Sequence, residues 1–305
     1  MGGVASKIGQ FGAGGFLAFA GLHGLAQLLR GLRLWLLALP DRGLTYGRAL
    51  RAVFVGYLAN NLVPLRIGEL IKAMVLSRLS THKLPQALGL VALERMMDGL
   101  ILVGLLLSAL GGMTGSSPEM ARVRKIAMAM GLTFGGLLVG LVVIVVFRKG
   151  LATWMQGRSS VAASAFIRLL DVFSRLADFR LVLRVLAVSL GIWGLEVAVF
   201  WLGGRWMGMD LGLGGALLCQ GVAAIGIAVP SAPGNVGVFE AAVVVAIVFL
   251  GGGEQVGLAL GVAIHAAHWI LDTSIGLLLL PGLGLKLSGT QKVADTSSPD
   301  AAARR

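Results

Sequence analysis

Charge is scarce in this 305-residue sequence. Asp, Glu, Lys and Arg make up 13% of it, about half the share of an ordinary soluble domain. Cysteine is nearly absent. Cys219 is the single one, so no intramolecular disulfide and no CxxC-type metal or redox site can form. Inside its apolar run Cys219 reads as a small packing residue. Four histidines are too few for a His-rich metal tract, and there is no HExxH pattern or Walker motif. With no nucleophile–base pair or metal set in view, neither an enzyme nor a cofactor is expected. What the sequence has in quantity is apolar: 57% of residues are hydrophobic and the mean hydropathy is +0.88. That excludes a disordered chain and an ordinary soluble enzyme. The 26 Lys and Arg exceed the 14 Asp and Glu, giving a net charge of +12. So apolar a chain offers nucleic acid no large wet face. Cationic loops against anionic lipid headgroups account for the excess.

A membrane span needs about 20 mostly apolar residues. Five segments meet that, roughly 11–39, 84–112, 126–147, 182–206 and 256–281. Two further apolar stretches are interrupted. Residues 50–79 carry Asn60, Asn61, Pro64, Arg66, Gly68, Glu69 and Lys72 in their middle. Residues 213–250 break at Pro230-Ser231-Ala232-Pro233-Gly234-Asn235. Each is too interrupted for one helix and too short for two spans. Non-helical backbone at membrane depth is tolerated only inside protein or beside a wet cavity. Both are therefore expected to be re-entrant helical hairpins, turning at Pro64 and Gly68 and at Pro230, Pro233, Gly234 and Gly237.

The two interruptions resemble each other. Pro64-x3-Gly68 is followed by Glu69, and Pro233-x3-Gly237 is followed closely by Glu240. Each hairpin has a span before and after it, and the connector span 126–147 turns the second unit over. The expected fold is an all-α polytopic membrane protein with about five full spans plus two re-entrant hairpins in an inverted-topology repeat. One membrane domain covers 1–289: repeat one (11–112), the connector (126–147), an amphipathic segment (158–180) and repeat two (182–281). Residues 290–305 are expected to be a disordered tail.

Loop charge sets the orientation. Residues 148–184 hold seven cations, which makes that loop cytoplasmic by the positive-inside rule. Arg30, Arg33, Arg42, Arg48 and Arg51 then lie in another cytoplasmic segment, 30–51, and the C-terminus is cytoplasmic too. Arg122, Arg124 and Lys125 fall on the outer side against the trend. The N-terminus is expected outside, without a cleavable signal sequence. Within 158–180, Arg168, Asp171, Arg175 and Asp178 recur at helical spacing opposite Phe166, Leu169, Leu170, Phe173 and Leu176. That pattern reads as an amphipathic helix under the headgroups, or less simply as a partner's docking site.

Six of the fourteen acids fall in apolar segments: Glu69, Glu94, Asp98, Glu196, Glu240 and Asp272. Arg66, Lys72 and Arg95 are the cations expected with them. A charge at the bilayer centre costs about 2.5–3.5 kcal/mol, so these groups must pair or face water. Glu69 has Arg66 and Lys72 at helical spacing, and Arg95 and Asp98 stand at i, i+3. Glu240 and Asp272 have His265 and His268 as candidates. His268 and Asp272, at i, i+4, form either a proton relay or a structural hydrogen-bonded pair. The N–H groups freed behind Pro64 and Pro233 are candidate anion sites, unless Arg66 only neutralises Glu69. The substrate-binding candidates are Asn60, Asn61, Arg66, Glu69, Lys72, Arg95, Asp98, Asn235 and Glu240. The relay candidates are His265, His268 and Asp272. No metal is expected.

These motifs resemble a known family. The stretch from Gly56-Tyr57 through Asn60-Asn61, Pro64, Arg66, Gly68-Glu69 and Lys72 is similar to the signature of the lysylphosphatidylglycerol synthase transmembrane region, or flippase-like domain. Glu94-Arg95-Met96-Met97-Asp98 resembles its ERxxD motif, and Pro230 through Glu240 its last. Gly31-Leu32-Arg33-Leu34-Trp35 resembles its arginine–aromatic segment. Order and spacing agree over roughly residues 20–282. Lys72 stands where relatives often have Arg, which loses bidentate phosphate geometry, and Asn235 stands at a common Gly, giving a less permissive turn.

The resemblance implies a stand-alone member without the aminoacyltransferase domain of bifunctional relatives, so no aminoacylated lipid would be made here. It also implies that the leading span of many relatives has no room before Met1. The expected function is a lipid flippase of the bacterial inner membrane. A phospholipid or polyprenyl-linked lipid would pass its headgroup through a charged cavity between the hairpins. A small-solute or ion transporter and a non-transporting subunit of a lipid-modifying system are the alternatives. A homo-oligomer or a membrane enzyme partner is left open.

Overall fold

The computed structural model describes residues 2–39, 41, 43–63, 67–111, 118–156, 161–228 and 232–283. The expected tail 290–305 and the candidate residues Pro64, Arg66 and Pro230 lie outside them. The described residues form ten α-helices and no strand. These are α1 (Gly2–Ala38), α2 (Tyr46–Leu62), α3 (Gly68–Leu79), α4 (Leu84–Gly111), α5 (Pro118–Gln156), α6 (Val161–Ser174), α7 (Phe179–Trp206), α8 (Gly212–Ala228), α9 (Val238–Phe249) and α10 (Glu254–Leu279). Four stretches are long and apolar enough to cross a membrane: Gly3–Ala38, Met128–Leu151, Phe179–Trp206 and Glu254–Leu279. Helix α4 matches α7 at 28 residues but carries Glu94, Arg95 and Asp98. The chain is an all-α polytopic membrane protein.

Local chemistry sets the helix ends. The backbone of α1 breaks at Gly12, with φ at 55°, which is where the first span was expected to begin. Thr45 caps α2 by accepting from Arg48 N at 3.3 Å. Helix α2 stops at Val63, extended at φ −113°, because the residue before a proline is pushed out of helical geometry. Asp178 caps α7 through Arg180 N at 2.9 Å. Arg51 Nε and Arg78 Nη1 donate to Leu279 O (2.7 Å) and Leu283 O (2.8 Å), cations meeting the negative end of α10.

The two interrupted stretches fold as matching helix pairs. Helices α2 and α8 have 17 residues each, and α3 and α9 have 12 each. These lengths correspond to about 25 and 18 Å, short of a hydrocarbon core of about 30 Å. Packing neighbours match as well. Helix α2 packs on α3, on α1 and on α10, while α8 packs on α9, on α7 and on α4. Each unit encloses its own apolar core, and α1 runs through both. In the first pair a Cβ on Gly68 would collide with the Gly56 carbonyl and the Asn60 side chain, so only glycine lets α3 start this close to α2. In the second, Gly234, Asn235 and Gly237 all adopt left-handed φ of 69°, 59° and 87°. Asn235 still makes this turn, since Asn tolerates that region better than most side chains do.

The amphipathic segment is packed. Helix α6 lies against α4 and α5, with Leu170 and Val172 buried. Arg175, expected on the charged face, turns inward instead. Its Nη1 donates to Leu37 O (2.9 Å) and Leu39 O (2.7 Å), and its Nη2 lies 3.3 Å from His82 Nε2. His82 Nδ1 lies 2.8 Å from Asp41 Oδ2. Asp41 also accepts from Gly43 N and Thr81 N, both at 2.7 Å. This knot ties the end of α1, the α3–α4 loop and the end of α6 together.

Both titratable groups in the knot shift downward. Burial, and then the Arg175 guanidinium, lower His82 below its ordinary 6.5. Burial works to raise Asp41, but the Gly43 and Thr81 N–H donors and His82 hold it below its ordinary 3.8. A lowered pKa gives stability that is complete above the unfolded value and is lost as pH falls. The knot should therefore loosen in stages as pH drops below 6.5 and then below 3.8. Hydrogen-exchange protection of the Gly43 and Thr81 amides should fall across that window, while protection in mid-α1 stays constant.

Candidate functional site

Helix α1 carries a polar stripe, His23, Gln27, Arg30 and Arg33, spaced 4, 3 and 3 residues apart and so on one helix face. Arg33 is completely enclosed. Its Nη1 and Nη2 donate to Asp98 Oδ1 (2.6 Å) and Oδ2 (3.1 Å), and its Nε donates to Glu94 Oε1 (3.3 Å). Nη1 also reaches Ser189 Oγ on α7 at 3.3 Å. One guanidinium thus joins α1, α4 and α7. Glu94 takes Lys72 Nζ on its other oxygen at 2.5 Å. Arg95 stands between Asp98 (3.1 Å) and Glu69 (3.7 Å), and Trp193 Nε1 donates to Asp98 Oδ1 at 3.1 Å.

A second polar cluster, between α1, α7 and α10, is built around histidines. His23 Nδ1 lies 3.1 Å from Glu196 Oε1, and its Nε2 lies 3.1 Å from Asp272 Oδ2. Gln27 Nε2 donates to Asp272 Oδ1 at 2.7 Å and sits 3.1 Å from His23 Nε2. Arg30 Nη2 donates to Glu196 Oε1 at 2.8 Å, with its guanidinium 5.6 Å from the Tyr57 ring centroid. His268 stacks on His23 at 3.7 Å. Glu240 Oε2 accepts from Gly237 N at 2.7 Å, Oε1 lies 2.6 Å from His265 Nδ1, and His265 Nε2 lies 2.8 Å from Gly234 O.

A cavity of about 170 Å³ opens between the units. Of the residues predicted from sequence, Asn61, Arg95, Asp98, Gly234, Asn235, His265, His268 and Asp272 line it. Asn61 Nδ2 also donates to Thr273 Oγ1 at 3.0 Å, which ties α2 to α10. Asn60, Glu69, Lys72 and Glu240 stand behind the lining and hold other groups in place. Three enclosed nitrogens on lining residues have no hydrogen-bond partner among the described residues: Arg30 Nη1, Arg95 Nε and His268 Nε2. Two belong to guanidiniums, Arg30 on α1 and Arg95 on α4. Buried donors normally find a partner, so the two guanidinium nitrogens are open to an acceptor that the described residues do not supply.

Three expectations change. Arg30 and Arg33 were read as loop cations, yet both are inside the helix bundle and paired with acids at depth. The acids there are consequently better matched by cations than the sequence implied. The freed N–H groups of the turns are also occupied by the protein itself: Asn60 Oδ1 takes Gly68 N at 2.8 Å, and Glu240 takes Gly237 N. Asp272 is bonded to α1 through His23 and Gln27, with His268 stacked alongside. His23, Arg30, Trp193 and Glu196 are lining residues that sequence reasoning did not select. The 4, 3, 3 spacing on α1 was the signal that could have found the first two. His23, Glu196 and His268 each offer one atom within 4.8 Å of the others, the spacing of a metal site. Arg30 already occupies Glu196 Oε1, and its guanidinium would repel a metal cation there.

Removing one partner of a buried pair leaves the other charge unpaired, at about 3–5 kcal/mol. Arg33→Met should lower stability by about that amount, read as a fall in the thermal unfolding midpoint in detergent. The exposed Lys149→Met should stay within about 0.5 kcal/mol of wild type.

Residues 1–276 match the family described as the lysylphosphatidylglycerol synthase TM region. No curated protein and no solved structure matches the chain.

Proposed function

Since the chain belongs to the lysylphosphatidylglycerol synthase transmembrane-region family, we propose that it moves the polar headgroup of a membrane lipid across the bilayer. The observation that carries this reading is the pair of unsatisfied guanidinium nitrogens, Arg30 Nη1 and Arg95 Nε, on residues lining one cavity. A phosphate diester supplies acceptor oxygens that both could share. Asp98, Glu196 and Asp272 on the same wall keep the empty cavity from being strongly cationic. They also favour a headgroup that carries a cationic group beside its phosphate. Trp193, Trp269 and Phe239 give that group aromatic faces to rest on. The acyl chains stay in the bilayer while the headgroup passes between the two hairpins.

In this reading α2–α3 and α8–α9 are re-entrant hairpins that enter from opposite sides of the membrane. Their equal lengths and matching neighbours support such a repeat. The protein sits in a bacterial inner membrane with its C-terminus cytoplasmic, and it makes and breaks no covalent bond in its lipid. The small cavity volume also suits a free anion, so a small-anion transporter is the second reading.

Proteoliposomes carrying headgroup-labelled phospholipid separate the two. Wild type should speed transbilayer movement over protein-free vesicles. Arg30→Ala and Arg95→Ala should each slow it about tenfold or more, the loss expected for a hydrogen bond to a charged group. Variants as fast as wild type would remove the assignment. Uptake of inorganic phosphate without lipid movement would put the small-anion reading in its place.

A further inference from the structure

The two units hold equivalent acids in different ways. Glu69 and Glu240 both lie in the first turn of the short hairpin helix. Each meets a basic residue on the following long helix: Arg95 on α4, at 3.7 Å, and His265 on α10, at 2.6 Å. The separations along the chain are 26 and 25 residues. A guanidinium keeps its proton at every physiological pH, whereas an imidazole is a group that can take one up or release it.

Hydrogen-bond directions fix where that proton is. Gly234 O can only accept, so His265 Nε2, at 2.8 Å, carries a hydrogen and donates. Glu240 Oε2 accepts from Gly237 N. A hydrogen must then lie between His265 Nδ1 and Glu240 Oε1, which are 2.6 Å apart. Whether it rests on nitrogen or oxygen, the pair holds one proton more than a neutral imidazole beside a carboxylate. Release sends that proton to water and leaves a bare nitrogen facing an anion. The pair loses its attraction and gains one negative charge.

We propose that the His265–Glu240 pair is an exchangeable proton site, and that its loading and release couple a proton gradient to movement of the cavity's cargo. The pair connects the tip of the second hairpin to the long helix behind it. Gly234 and Gly237 both sit in left-handed turns, and Gly234 lines the cavity beside Asn235. Releasing the proton therefore loosens the hairpin tip where the headgroup must pass. The groups facing the pair are known from each side. Phe239 of α9 covers the imidazole at 4.9 Å. His268 is one turn along α10, stacked on His23, which in turn meets Glu196 of α7 and Asp272 of α10. Arg30 of α1, Asn61 of α2, and Arg95 and Asp98 of α4 face the same cavity. Among the described residues that meet Glu196, Glu240 and Asp272, the one permanent cation is Arg30. The other basic groups that meet these acids are histidines.

The choice of cargo rests on the lipid reading, but the proton site does not. Glu240→Gln is the diagnostic variant. Its carbonyl accepts from Gly237 N, and its amide donates to a neutral His265 Nδ1. Both bonds survive and the site is locked in its loaded form. With only four histidines in the chain, ring-nitrogen NMR of 15N-histidine-labelled protein reads His265 directly. In wild type the Nδ1 signal should move as rising pH takes the shared proton, either from the ring nitrogen or from the carboxyl bonded to it, and in Glu240→Gln the ring should stay a neutral Nε2–H imidazole throughout. A pH-invariant wild-type His265, or identical spectra in the two proteins, overturns the proposal. In proteoliposomes with the membrane potential clamped, a one-unit pH gradient should change wild-type lipid movement several-fold and leave Glu240→Gln indifferent. Wild-type movement that ignores the gradient overturns the coupling while the lipid reading stands. If wild type moves no lipid at all, the lipid reading falls and the histidine spectra decide the proton site alone.

Discussion

The enclosed guanidinium of Arg33 is the interaction on which the rest depends. A charge at that depth is unaffordable alone, yet this one has a carboxylate across both of its terminal nitrogens and a second at Nε. Satisfying it requires α1, α4 and α7 to meet at one place and in one register. Once Asp98 and Glu94 are fixed by Arg33, the same two Asp98 oxygens also hold Arg95 and Trp193, and the other Glu94 oxygen holds Lys72. The cavity wall is thus the outer layer of an internally neutralised cluster. Ion pairs and hydrogen bonds hold it together, because apolar side chains gain little from contact with each other over contact with lipid tails.

Around that cluster the chain repeats itself. Two helix pairs of 17 and 12 residues stand each between longer helices. The repeat preserves geometry and changes chemistry. In the first unit Arg33, Lys72 and Arg95 give fixed positive charge. Towards the second hairpin, His23 of α1 and His265 of α10 meet the acids instead.

Much of the fold was legible in the sequence because it follows from solubility. Runs of about 20 apolar residues have few homes other than a bilayer, and Pro64, Gly68, Pro233 and Gly237 mark where such a run cannot continue as a helix. The acids at depth were legible too, since so few occur. Their partners were less so. Glu94 finds Arg33, 61 residues away, and Asp272 finds His23, 249 away, distances over which helical spacing carries no information. Arg30 and Arg33 were assigned to a loop because they begin a run of cations at the end of an apolar segment. Three-dimensional pairing draws them inward. Arg175 was misplaced for the reverse reason: it kept helical register with Asp171 and Asp178 but met free carbonyls at the end of α1 instead.

The central claim is that a lipid phosphate is what the unmatched donors of Arg30 and Arg95 are built to hold. An experimental structure of the protein in lipid nanodiscs tests this most directly. The account predicts tetrahedral density within hydrogen-bond distance of both guanidiniums, continuous with acyl-chain density that leaves the cavity sideways. Lipid density confined to the outer belt, with only water between Arg30 and Arg95, would contradict it.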